Sequence, residues 1–143
     1  MSKVRVHASN DVPWKKLRDL YPPEMASEIA DAELDSSLAY HESGSDGDLH
    51  LSELDYQPGA TFDLHAHDQD EIIYVVSGSM QLGNRTLGPG SSVYVAKDTL
   101  YGFAAGADGL RILVFRSDGR VKYCSKDDYV RLRAEGVRHP TEA

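Results

Sequence analysis

Cysteine is almost absent from this chain: Cys124 is the only one in 143 residues. No internal disulfide can form, and a zinc site built on cysteine thiolates is excluded. Positive charge is in the minority, 15 Lys and Arg against 23 Asp and Glu, for a formal net charge of −8. That balance disfavours a nucleic-acid backbone or an anionic bilayer as partner, because both recruit a basic face. Long apolar runs are missing as well. The opening MSKVRVHASNDVPW lacks the apolar core of a signal peptide, and no later stretch approaches the length of a membrane span. A cytoplasmic, reducing location is the expectation. There are no internal repeats and no low-complexity tract. The length suits one domain with a core large enough to do without disulfides.

What the chain does have is a succession of short apolar or alternating runs from Ser37 onward. They are SSLAYHES, DLHLSELDY, TFDLHAH, EIIYVVS, MQL, SSVYVA, LYGFAA and LRILVFR. Turn chemistry separates them: GSDG, QPG, DQD, SGS, GN, LGPG, AKDT and AGADG. Many short strands with regular turn punctuation read as an all-β sandwich or barrel. Before them, DVPWKKLRDLY (residues 11–21) reads as a short helix with Asp11 as its cap and Pro13 in its first turn. After them, Ser125–Glu135 reads as a helix capped by Ser125, with Asp128 three residues on and Gly136 as its stop. The expected organisation is a single domain: an N-terminal arm (1–36), a β-barrel (37–124) and a C-terminal helix and tail (125–143).

Chemistry concentrates in GATFDLHAHDQDEIIYVVSG, residues 59–78. Residues two apart on a strand share a face, so His65 and His67 project together while Leu64 and Ala66 face away. Asp68, Gln69 and Asp70 form a short polar turn, and the returning strand brings Glu71 across from the two histidines. Two imidazoles and a carboxylate on a rigid hairpin make a facial set of three metal ligands with open positions beside them.

The spacing Gly59-x5-His65-x-His67-x3-Glu71-x6-Gly78 resembles the first conserved motif of the cupin superfamily, with every fixed position present. The second motif is matched in part by GSSVYVAKDTLYGFAA. Gly90 fits, Ala96 stands where proline is usual, and Tyr101 stands where the fourth ligand, a histidine, is expected. The resemblance covers roughly residues 37–116. It implies a cupin jelly-roll β-barrel, here with a short N-terminal arm and a C-terminal helix. It also implies one divalent transition metal ion per chain (Fe, Mn, Ni or Zn), held by His65, His67 and Glu71. Three roles are open to Tyr101: fourth ligand, catalytic base beside the metal, or wall residue.

The leading functional expectation is a mononuclear-metal enzyme acting on a small organic molecule, similar to dioxygenase-type cupins. A metal-dependent lyase is a second enzymatic reading, because Tyr101 resembles the proton-abstracting tyrosine of some small cupins. A metal or ligand sensor without catalysis is the rival class, since VHASNDVPW resembles the start of anti-sigma-type cupin modules. Candidates for the cavity wall are Phe62, Ile73, Val75, Val93, Val95, Phe103 and Leu113. His50 reads first as an exposed strand residue and second as one facing the cavity, His7, His41 and His139 as surface residues, and Cys124 as a small core residue. Open strand edges call for cover, so a two-fold homodimer is expected, with Val4, Val6 and Trp14 of the arm as the covering segment.

Overall fold

The computed structural model describes residues 3–143. The described strands are β1 (Trp14–Lys16), β2 (Ser37–Glu42), β3 (His50–Tyr56), β4 (Thr61–His67), β5 (Glu71–Leu82), β6 (Arg85–Leu87), β7 (Ser92–Val95), β8 (Tyr101–Arg116) and β9 (Tyr123–Ser125). The α-helices are α1 (Pro23–Ala26), α2 (Asp31–Leu34) and α3 (Lys126–Ala134). Among the described residues, no helix is long and apolar enough to cross a membrane.

Strand β8 is the spine of the barrel. Its C-terminal half lies between β3 and β5, with Ile112 opposite both Leu54 and Val75. Its N-terminal half lies between β4 and the far end of β5, with Phe103 opposite Phe62 and Ala104 opposite Gln81. Inward side chains fill the space between: Ile73, Val75, Met80, Phe103, Leu110 and Ile112 belong to one buried cluster. Removing each large apolar side chain from water contributes roughly 1.5–3 kcal/mol.

Two expected turns are absent. SGS lies inside β5 and AGADG inside β8, so each strand runs unbroken where glycine suggested a reversal. The glycines act as bends. Gly78 and Gly109 both adopt positive φ, +75° and +79°, and the β5–β8 register shifts beside Gly78. Their backbones are so close that a Cβ on Gly78 would lie 2.1 Å from the Gly109 carbonyl oxygen. Glycine at a bulge lets a long strand turn a barrel corner without leaving the sheet.

The N-terminal helix expected over 11–21 does not form. Trp14–Lys16 instead pairs with β2, placing Trp14 opposite Ala39, and Leu17–Asp19 is a single 3-10 turn. Only Val12 and Leu17 are buried in this stretch, so it has no apolar stripe to support a helix. The Leu17 N–H donates to Ser36 O at 2.9 Å, and the Arg111 guanidinium lies 5.2 Å from the Trp14 ring. Val4 and Val6, expected to cover an edge, are exposed. At the other end α3 forms as anticipated. Ser125 Oγ accepts from the Asp128 N–H, and Gly136 at φ +88° follows the helix.

Candidate functional site

The site is assembled by register. On β4, His65 lies opposite Tyr101 of β8. At the other end of β8, Arg116 lies opposite Glu71 of β5 on one side and His50 of β3 on the other. Period-two alternation turns His50 and Ser52 inward from β3, and Ile112, Val114 and Arg116 inward from β8. These side chains line a cavity of about 190 Å3, together with His65, His67, Glu71 and Tyr101.

Each histidine of the β4 pair is anchored through Nδ1. His65 Nδ1 donates to Asp63 O at 2.8 Å, and His67 Nδ1 donates to Lys122 O at 2.9 Å. A carbonyl oxygen only accepts, so Nδ1 carries a proton in both rings and Nε2 is the nitrogen left for another partner. Neither Nε2 has a protein partner among the described residues. Burial pushes the His67 pKa below the usual imidazole value, which keeps that ring neutral. The anchoring carbonyl is itself fixed, because Asp68 Oδ1 accepts from the Lys122 N–H at 2.8 Å. The two rings stand 4.9 Å apart between centroids, and Tyr123 stacks on His65 at 5.1 Å.

Glu71 is 2% exposed, and both of its oxygens are engaged. Oε2 accepts from Arg116 Nε at 2.8 Å, and Oε1 accepts a short hydrogen bond from the Tyr101 hydroxyl. Burial, and then the Glu71 charge, drive the Tyr101 pKa well above that of free tyrosine, so the phenol stays protonated. The hydroxyl therefore faces into the barrel and is a donor to Glu71. With Glu71 so turned, no group of three or more His, Cys, Asp or Glu side chains among the described residues is arranged to hold a metal ion. The donor chemistry nevertheless fits a divalent transition ion. Two imidazoles offer Nε2 with Nδ1 locked on carbonyls, and a carboxylate lines the same cavity.

His50 corrects the sequence reading. It is 3% exposed, with Nδ1 donating to Ser43 O at 2.8 Å and Nε2 accepting from Ser52 Oγ at 3.0 Å. Burial lowers its pKa, so the ring is neutral. Of the wall candidates, Phe62, Ile73 and Phe103 line the cavity. Val75, Val93 and Val95 pack in the core instead, and Leu113 yields its place to Ile112 and Val114 by alternation. His7 and His139 are exposed, half-buried His41 pairs with Glu53 at 3.0 Å, and Cys124 is buried. Sequence reasoning missed Arg116 and Tyr123. The signal for Arg116 was present in LRILVFR, where it ends the inward stripe begun by Ile112 and Val114.

Residues 52–116 match the cupin domain family Cupin_2. Among solved structures, the chain is similar to KdgF from a Halomonas species, at 21% identity and a TM-score of 0.59, over 80% of this chain and 94% of that one. It is similar to the polyketide cyclase RemF from Streptomyces resistomycificus, at 22% identity and a TM-score of 0.63, over 92% and 94% of the two chains. An RmlC-like cupin from Shewanella frigidimarina aligns at 15% identity and a TM-score of 0.60, over 82% and 95%. No curated protein sequence matches the chain.

Proposed function

We propose, from the match of residues 52–116 to the cupin domain family and the likeness of the fold to solved cupin structures, that the chain is a mononuclear-metal enzyme acting on a small organic molecule. The observation that carries the reading is the pair of Nε2 atoms on His65 and His67, left without a protein partner among the described residues while each Nδ1 is held on a backbone carbonyl, in rings that line one cavity. His65, His67 and Glu71 would hold one divalent ion, Fe, Mn, Ni or Zn. Such an ion supplies Lewis acidity or, as iron with open positions, oxygen activation of the dioxygenase kind.

The chain's own residues do the rest. Phe62, Phe103 and Ile73 exclude water and hold an apolar body. Arg116 orients Glu71 through its Nε bond. Tyr101 holds a proton on its hydroxyl against Glu71 Oε1, which makes the pair a route for moving that proton. This contact favours a second reading, a metal-dependent lyase or a related proton-transfer enzyme, because oxygen insertion needs no such dyad. Anaerobic assays separate the two. Turnover that stops without dioxygen supports the dioxygenase-like reading, and turnover that persists supports proton transfer. Ligand binding without any turnover would leave a sensor and overturn the enzymatic proposal.

A further inference from the structure

Arg116 has donors that the fold does not use. Its Nε is bonded to Glu71, but no protein group among the described residues accepts from either Nη nitrogen. The side chain is only 14% exposed and lines the cavity, which brings the guanidinium to the cavity wall. The neighbouring polar groups are already satisfied: His50 and Ser52 bond each other, and Tyr101 donates to Glu71. Phe62, Phe103, Leu54 and Ile73 line the same cavity and offer no acceptor.

We propose that Arg116 is the anchor for a carboxylate on the ligand, and that the cavity takes a small organic acid of about one ring, its apolar body against Phe62 and Phe103. The inference rests on the functional reading above for its metal but not for its geometry. Guanidinium N–H groups with a free edge match a carboxylate in paired fashion, which an ammonium or an amide does not reproduce. The charge balance points the same way. Glu71 and Arg116 form an ion pair and offset one another. A divalent ion would then leave the buried site positive, and an anionic ligand offsets that charge where a neutral one does not. Size sets the scale of the apolar body. The cavity of about 190 Å3 slightly exceeds the roughly 150 Å3 engineered cavity that holds benzene, leaving room for a ring with one small polar group.

The test titrates the as-purified full chain with benzoate, benzamide and acetate by calorimetry or ligand-observed NMR, with metal content measured on the same samples. Benzoate is expected to bind at least about tenfold more tightly than neutral benzamide, through the charge-assisted contacts, and more tightly than acetate, through the ring. Arg116→Gln should lose about tenfold or more in benzoate affinity while leaving benzamide little changed. Arg116→Lys, which keeps the charge and loses the fork, should fall between them. Arg111→Gln removes the same charge from a residue whose partners are Glu53 and Asp55, and should bind benzoate as the wild type does. Thermal melts confirm that each variant is folded. Benzoate and benzamide binding equally, no benzoate binding at millimolar concentration, or Arg116→Gln retaining full benzoate affinity would each overturn the inference. Benzoate binding through Arg116 in a protein without metal would sink the metal reading and leave this one standing. A metal-replete protein that ignores benzoate would do the reverse.

Discussion

Replacing Glu71 by Gln keeps the shape of the side chain and an oxygen for Tyr101, but removes the charge that faces Arg116. The pair is largely out of water, with side-chain exposures of 1% for Glu71 and 14% for Arg116. Breaking such a pair strands the remaining charge and costs about 3–5 kcal/mol where both groups are fully buried. Arg116 retains some access to the cavity and the glutamine oxygen can still accept, so a smaller loss, about 2–3 kcal/mol, is expected here. Against a total stability of about 5–15 kcal/mol this is a large loss. For a chain of this length it corresponds to a drop of roughly 6–12 °C in Tm. The assay is a calorimetric melt with chelator present, so that bound metal does not add its own stabilisation. Adding Arg116→Met removes the stranded charge, so the double variant should melt above Glu71→Gln alone. A Glu71→Gln drop of under about 2 °C, or a double variant equal to the sum of the singles, would refute the buried-pair account.

Tyr101→Phe should leave metal content unchanged yet lower turnover on an identified substrate by about 100-fold or more, because the proton route ends at that hydroxyl. A loss of metal, or a phenolate-to-iron band in the wild-type Fe(III) form, would instead make Tyr101 a ligand. His50 fixes a pH trend, since its folded pKa lies below the unfolded value near 6.5. Its contribution is complete above that value and is lost as pH falls below it, by at most about 1.4 kcal/mol per unit. Melts at pH 7.5 and 5.5 should show His50→Gln with a shallower acid-side loss than wild type, and equal slopes would contradict the assignment. Light scattering at tens of micromolar should give twice the 15.8 kDa chain mass. Ile72, Tyr74, Tyr94 and Phe115, exposed on neighbouring strands, offer a larger apolar face for that contact than the arm does, and a monomer would remove the dimer proposal.

The histidine pair was legible because a strand's period of two leaves no choice: HAH puts both rings on one side, and a three-residue turn returns Glu71 beside them. His50 and Arg116 were legible by the same rule, but His50 was read first as exposed and Arg116 was passed over. In HLSELDY and LRILVFR the polar residue sits at the end of a stripe whose other members are inward. The fate of Glu71 was not legible, since its partners stand 30 and 45 residues away, Arg116 brought opposite it by the pairing of β5 with β8 and Tyr101 held on β8 opposite His65 of β4. Glycine misled in SGS and AGADG, because positive φ serves a bulge as well as a turn. The N-terminal segment misled because helix-start signals were present without an apolar stripe behind them.

Elemental analysis of freshly purified protein, beside His65→Ala and Glu71→Ala, bears most directly on the metal. About one Fe, Mn, Ni or Zn per wild-type chain, falling well below that in both variants, is the expected result. A wild-type barrel that is folded, empty and unable to take up any of these ions, or variants that keep full metal content, would contradict it.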